Sequence, residues 1–408
     1  MNYLKSKRSL FLNKKAILYV FFKYIELIVT ALVMLILAKN IGPTEMGYSI
    51  SYLLYITYSS YLGAGTNAMV IKQFFRQPEK IIFVSNSLKF ILIVCILNFF
   101  LSYLFFDNFF LISLISISLL LKNFFYSYFR SIFKTIYINI VNIYTASFLL
   151  LGTLFYVENW NDYLLIWMFA ISSSVIICLF LETSIIKLIF PEIIKKSIFT
   201  GFHIDFKEVL YLTCIGIIGT VFLTTDRLII NNLDISDSIK GSYQFADNIT
   251  TAFFMGFGSL IFYFTPNIIE KVNQDKKFFF KFSNYTKYLL FIIPSICALS
   301  YLFSNYVFNL WFTEYKGVAL FICTTLFLKL TILSGSIYAL IFNGLDAESS
   351  YLRLSIIPIL LLFINFILVK IYLPIELITF IPLSISLIVF IFIIIQNKMI
   401  TKIIKKQE

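Results

Sequence analysis

The sequence predicts an all-α, polytopic membrane protein of about 12 transmembrane helices, arranged as two six-helix halves around a central cavity. Three observations carry that reading. Of 408 residues, 60% are hydrophobic and only 13% charged, with a mean hydropathy of +0.90, which no water-soluble fold presents to solvent without aggregating. Apolar runs of roughly 20 residues, the length that crosses about 30 Å of hydrocarbon, follow one another almost without interruption. The longest segment between them, from Lys187 to Lys207, separates six runs from six.

The spans fall near 16–38, 47–71, 81–106, 109–129, 136–157 and 163–186 in the first half. In the second they fall near 208–230, 242–264, 286–308, 318–342, 352–372 and 375–397. The domain organisation is therefore 1–186, a cytoplasmic linker 187–207 with Pro191, Gly201 and the single histidine His203, then 208–397 and a basic tail 398–408. The first span follows a polar, basic stretch without a small-residue cleavage site and reads as a retained helix, not a signal peptide. Gly63-Ala64-Gly65 in the second span reads as close helix packing. A β-barrel needs strands of roughly ten residues that alternate in polarity, whereas these runs are apolar on nearly every side.

Charge sets the orientation. With the N-terminus inside, 24 of the 33 basic residues fall on inner segments, from Lys5, Lys7 and Arg8 through Arg130 and Lys134 to Lys402 and Lys405. Lys39, Arg227, Lys240, Lys316 and Lys370 fall outside. That asymmetry predicts an even number of spans with both termini cytoplasmic. It also accounts for the net charge of +12 without a nucleic-acid partner, since the basic residues are dispersed over alternate loops. The five cysteines, Cys95, Cys178, Cys214, Cys297 and Cys323, all lie within spans and have no paired spacing for a disulfide or a zinc site.

A weak internal repeat supports two halves. Asn40-Ile41-Gly42-Pro43-Thr44-Glu45-Met46-Gly47-Tyr48 joins spans one and two, and the stretch from Asn232 to Gly241 and Tyr243 joins spans seven and eight. Each begins with Asn and an aliphatic residue and ends with Gly shortly before Tyr. Two six-helix repeats of the same orientation make a common transporter plan, with the substrate between them and alternating access by rocking.

Charges inside spans need a partner, a wet cavity or an escape to the interface, because a lysine at the bilayer centre costs about 2.5 to 3.5 kcal/mol on insertion scales. Lys23 and Glu26, three residues apart on one helical face, can pair. Lys89 and Lys122 lie within snorkelling reach of the inner interface. Lys329, near the middle of its span among Phe327, Leu328, Leu330 and Ile332, is the foremost cavity candidate. Asp226 and Arg227 close span seven, where a salt bridge or helix cap at the interface suffices, and Asp247 is placed to pair with Arg227. Glu182 is expected beside Lys187. A lysine-rich interior of Lys23, Lys89, Lys122 and Lys329 suits an anionic substrate.

The chain has no phosphate-binding loop of the G-x-x-x-x-G-K-[ST] type, and its lone histidine gives no basis for a metal site. No large outer loop is available to house catalysis. The expectation is a transporter, not an enzyme, with neither metal nor cofactor.

Leu37-Ala38-Lys39-Asn40-Ile41-Gly42-Pro43-Thr44-Glu45-Met46-Gly47-Tyr48 resembles the first loop of bacterial polysaccharide flippases, an aliphatic run, a basic residue, Leu-Gly-Pro and Glu-x-Gly. The similarity continues through Leu62 to Val70, and through Thr225-Asp226-Arg227 with Gly241-Ser242-Tyr243-Gln244-Phe245-Ala246. It reaches the Pro266 loop, Asn309-Leu310-Trp311-Phe312 and Asn343-Gly344-Leu345. Gly42, Pro43, Glu45, Gly47, Gly241 and Tyr243 match the family motif residue by residue, with Ile41 in place of the usual Leu and no Gly-Pro pair in the second loop. The fit is to the O-antigen and capsule branch of the multidrug, oligosaccharidyl-lipid and polysaccharide exporter superfamily.

What the resemblance implies is a lipid-linked oligosaccharide as substrate, carried on undecaprenyl pyrophosphate from the inner to the outer leaflet of the bacterial inner membrane. Its further implied partners are membrane lipid and other proteins of polysaccharide assembly, including lipopolysaccharide assembly. Two alternatives stay open: a drug or cation antiporter of the same superfamily, which needs deep carboxylates such as Glu26, and a membrane glycosyltransferase or polymerase.

Overall fold

The computed structural model describes residues 14–74, 77–195, 206–275, 278–345 and 347–407. Gly201 and His203 of the linker, and the basic residues Lys5, Lys7, Arg8, Arg76, Lys196, Lys276 and Lys277, lie outside them. Among the described residues the chain is helical almost throughout and contains no strand. The first half comprises α1 (Lys14–Tyr48), α2 (Ile50–Tyr61), α3 (Ala64–Gln73), α4 (Lys80–Phe105), α5 (Phe109–Ser131), α6 (Thr135–Phe155) and α7 (Trp160–Leu181). A π-helical turn (Ile185–Ile189) leads into the short α8 (Phe190–Lys195). The second half comprises α9 (Phe206–Asn231), α10 (Asp237–Gln274), α11 (Phe278–Trp311), α12 (Val318–Gly344), α13 (Glu348–Tyr372) and α14 (Ile381–Gln407), with a 3-10 turn (Ile375–Phe380) before the last.

Ten of these helices are long and apolar enough to cross a membrane. The remaining two predicted spans fall in α2 with α3 and in α10. The second is broken at Leu62-Gly63 into α2 and α3, each too short to span alone. The eighth lies within α10, a single continuous 38-residue helix. Hereafter the end at which α1 begins is the proximal face, and the end at which α1 gives way to α2 is the distal face.

The segment from Asn40 to Tyr48, read from sequence as a loop, is helical. Gly42 takes φ 72° and ψ 174°, a positive-φ setting favoured by glycine, and so divides α1 into two helical segments joined at a kink. Pro43 follows at what is in effect the first position of a new helical turn, where its fixed φ is already helical and its missing N–H is not needed.

The two halves interlock reciprocally: α1 packs along α10, and α2 with α3 packs along α9. The tightest point is the crossing of Gly47 over Gly241. A methyl group on Gly47 would sit 2.9 Å from the Asp237 carbonyl carbon and 3.0 Å from the Gly241 nitrogen. One on Gly241 would sit 2.6 Å from the Pro43 carbonyl carbon and 2.9 Å from the Gly47 nitrogen. The two glycines that mark the internal repeat in the sequence are thus each other's neighbours. On the proximal side Gly65 lies against the α9 backbone at Val209 and Thr213, so Gly63-Ala64-Gly65 is a helix-packing element.

One apolar core spans both halves, including Met46, Ile50, Phe222, Tyr243, Phe245, Phe321 and Ile385. A second, with Leu88, Ile91, Phe124, Phe129, Val141 and Cys178, lies mostly in the first half and takes in Val209 and Leu212 of α9. Cys95, Cys178, Cys214, Cys297 and Cys323 are all free thiols.

Candidate functional site

The interlocked halves leave a cavity of about 510 Å³ between α1, α5 and α6 on one side and α10 and α12 on the other. Its two walls differ in chemistry. The first-half wall presents Lys23, Tyr126, Arg130 and Asn142, whereas the second-half wall presents chiefly Phe254, Met255, Leu333 and Leu340, with Ser259 and Ser336. Helical periodicity explains the polar wall: Tyr126 and Arg130 are four residues apart on α5, and Lys122 stands one turn before Tyr126 on the same face. Tyr126 donates to Asn142 Oδ1 at 2.5 Å, which ties its hydroxyl to α6.

The four lysines named from sequence take different places. Lys23 lines the cavity and pairs with Glu26 at 2.7 Å, on a part-buried helical face. Lys122 is buried behind the wall, donating to Thr145 Oγ1 at 3.3 Å with its ammonium 5.4 Å from the Tyr126 ring centre. Lys89 is buried on α4, within the first half, and is not a lining residue.

Lys329 lies elsewhere, in a charge cluster nearer the distal face. Its ammonium is 2.6 Å from Asp247 Oδ1, the two side chains only 2% and 1% exposed, and it also donates to Thr251. Asp247 Oδ2 faces Arg227 Nε at 3.4 Å, and the neighbouring Asp226 accepts from the Tyr243 hydroxyl. Two acids therefore answer two bases among α9, α10 and α12. Asp226 is buried and the Arg227 side chain nearly so at this end of α9. Tyr243, singled out from sequence only as a motif residue, is a partner in this cluster.

The motif residues at the distal end close that face. Glu45 accepts the backbone N–H of Trp160 at 2.6 Å, and the Tyr315 hydroxyl donates to the Ala38 carbonyl at 2.6 Å. Asn40 donates to the carbonyls of Thr153 and Val157 at 3.1 and 3.0 Å. On the proximal face Lys72 of α3 meets Glu208 of α9 at 3.3 Å and Glu348 of α13 at 3.1 Å.

Glu182 at the C-terminal end of α7 pairs with Lys134 at 2.5 Å. Burial pushes the Glu182 carboxyl up, but Lys134 and Ser184 outweigh it and hold the carboxyl below its ordinary range. The hydrogen bond to Glu182 raises Lys134. The stabilising contribution of Glu182 is therefore present above the ordinary carboxylate pKa and is lost as pH falls through its depressed value. That of Lys134 is lost only as pH rises through its raised one. Glu182→Gln is expected to flatten the acid-side fall of the unfolding temperature while leaving the neutral plateau within about 1 kcal/mol, as befits a partly exposed pair. A pH series of thermal unfolding in detergent checks it.

Arg130 was assigned by the sequence reading to an inner loop and not to the site. Its i, i+4, i+8 relation to Lys122 and Tyr126 was the available signal.

Fold and cleft together define a multi-pass helical membrane protein with a cavity between its two halves. No protein-family model matches the sequence, and no curated protein matches it. Solved structures do share the fold. A structure titled lipid II flippase MurJ, inward closed conformation, superposes with a TM-score of 0.68 over 95% of this chain and 87% of that one, at 15% identity. An inward-facing multidrug resistance MATE family transporter of the MOP superfamily gives 0.68 over 96% and 100%, at 12% identity. An outward-facing transporter of that description gives 0.59 over 95% and 96%, at 11% identity. The chain shares the fold of these transporter structures.

Proposed function

We propose that the protein is a transporter that flips an undecaprenyl-pyrophosphate-linked oligosaccharide, the repeat unit of O-antigen, capsule or a similar surface polysaccharide, from the inner to the outer leaflet. The observation that carries this reading is the two-faced cavity. Cations on α1 and α5 face an apolar wall on α10 and α12, and an amphiphile with a diphosphate head needs both. Lys23 and Arg130 hold the phosphates, Tyr126 and Asn142 contact the first sugar, and the isoprenoid tail leaves along the apolar wall into the bilayer.

In this reading the proximal face is cytoplasmic, both termini with it, and the membrane is the bacterial inner membrane. Residues 1–186 and 208–397 rock as two bodies about the Gly47–Gly241 crossing. Breaking the Lys72 pairs widens the cytoplasmic side, and separating Glu45, Tyr315 and Asn40 from their partners opens the other. The drug or cation antiporter reading asks for a carboxylate free to exchange a cation, whereas Glu26 and Asp247 each carry an ion pair and Asp226 a phenol donor.

The test is deletion of the gene followed by fractionation of lipid-linked sugars. Complete repeat units should accumulate in the inner leaflet, and Lys23→Gln with Arg130→Gln should reproduce the defect at normal membrane levels. Incomplete units would instead point to a glycosyl transfer step and overturn the reading.

A further inference from the structure

The last helix changes chemistry along a single stripe. On α14 the residues Leu387, Ile391, Ile394, Lys398, Lys402 and Lys405 are all exposed. They follow one another at intervals of three or four, and Lys405 returns to the azimuth of Leu387 after about five turns of 3.6 residues. The distal part of the stripe is apolar, the proximal part is cationic, and the change falls between Ile394 and Lys398. The opposite side of the helix stays buried beyond that point: Ile400 and Ile404 belong to the apolar core that spans both halves. The end of α14 is thus held on the protein with its lysines turned outward.

Helix length places those lysines at the membrane surface. The 27 residues of α14 extend about 40 Å, against about 30 Å of hydrocarbon. Lys398 stands about 6 Å past Ile394 along the axis, and the long stems of Lys402 and Lys405 can carry their ammoniums back toward the same level. None of the three has an ion-pair partner among the described residues. Glu208 of α9 and Glu348 of α13, carboxylates at the proximal ends of helices that pack on α14, are both engaged by Lys72. Lys287 adds an exposed cation on α11, one turn beyond Ser283, whose hydroxyl donates to Asn397 Oδ1 at 3.1 Å.

A bias of basic residues to one side of the membrane accounts for their number but not for their alignment below an apolar stripe. We propose that the proximal end of α14 is a binding site for anionic phospholipid: acyl chains lie against Leu387, Ile391 and Ile394, and the negative headgroup meets Lys398, Lys402 and Lys405. The site stands apart from the cavity and does not depend on what the cavity carries.

Binding of radiolabelled dioleoyl phosphatidylglycerol to the purified full chain in a neutral detergent tests it. Wild type should bind with an affinity that falls as salt is raised, and dioleoyl phosphatidylcholine, with the same tails and no net charge, should compete about tenfold less well or worse. Combining Lys398→Gln, Lys402→Gln and Lys405→Gln should weaken binding by about tenfold or more, whereas Arg at the same three positions should keep it within about threefold of wild type. Removing three exposed charges from the distal end instead, with Lys39→Gln, Lys316→Gln and Lys370→Gln, should leave it within about twofold. Equal loss in that distal variant would mean that net charge and not the stripe attracts the lipid, and would overturn the proposal. Equal competition by phosphatidylcholine overturns it in favour of an apolar seat alone, and equal competition by inorganic phosphate in favour of a site for free anions. The competition series uses wild type, so it decides the matter even if the Gln variant loses its fold.

Discussion

Gly241→Leu is expected to abolish transport and to leave the distal face open. A side chain there has no space while α1 and α10 cross, because even its first carbon would sit 2.6 Å from the Pro43 carbonyl carbon and 2.9 Å from the Gly47 nitrogen. The obstacle is backbone, which cannot rotate aside as a side-chain end can. Ordinary overpacking costs about 1–3 kcal/mol through side-chain adjustment, and a helix crossing held at backbone contact has less room to adjust. The helices must separate, taking with them the Glu45 bond to Trp160 and the Tyr315 bond to Ala38, which lie at the same face.

The measurement uses a cysteine at Met46, fully buried in this arrangement. An impermeant thiol reagent added from outside should label Met46→Cys slowly in the otherwise unchanged chain and at least tenfold faster when Gly241→Leu is added, by analogy with a shift of about 1.4 kcal/mol in an opening equilibrium. Equal labelling in the two backgrounds would mean that the crossing does not gate this face.

Which parts of this were legible in the sequence follows from what each depends on. Apolar runs of spanning length are a local property, so eleven of the twelve spans fall in long helices among the described residues. The second depended on a detail that run length does not encode, the turn at Leu62-Gly63. Gly47 and Gly241 were recognisable as repeated marks in the chain, but that they touch is a consequence of how the repeats pair, which no spacing along the chain contains.

The charges were hardest. Proximity of three or four residues along one helix revealed Lys23 with Glu26, and a short loop suggested Arg227 with Asp247. Lys329 is 82 positions from Asp247, and only the packing of α10 on α12 brings them together. A lone lysine in an apolar run reads as a cavity cation until the opposing helix is in place. Arg130 was passed over for the converse reason. Its position at a helix end satisfied the orientation rule and concealed that its face continues the stripe of Lys122 and Tyr126.

Asp247→Asn is expected to be the most damaging single change in the second half. Asp247 answers both Lys329, at 2.6 Å, and Arg227, at 3.4 Å, and both of those side chains are nearly or fully shielded. Removing its charge leaves two cations with only Asp226 nearby, and Asp226 is already engaged by the Tyr243 hydroxyl. Breaking a buried pair by deleting one partner costs about 3–5 kcal/mol, because the remaining charge is uncompensated. For a membrane protein of ordinary stability that loss shows as a steep fall in folded material after extraction.

The same physics predicts relief. Lys329→Met in the Asp247→Asn background removes the stranded ammonium, and replacing a buried pair by uncharged side chains of similar size is often neutral. The double variant should therefore recover most of the unfolding temperature lost by Asp247→Asn, leaving Arg227 with Asp226 as its remaining acid. Lys329→Met alone should be milder than Asp247→Asn, since Arg227 still neutralises Asp247. Folded yield and thermal unfolding of the three variants decide the matter: additive losses in the double variant would show that Lys329 and Asp247 do not depend on each other's charge. Recovery of stability together with full transport would assign the cluster to holding α9, α10 and α12 in register and leave recognition of the substrate to the Lys23 and Arg130 wall.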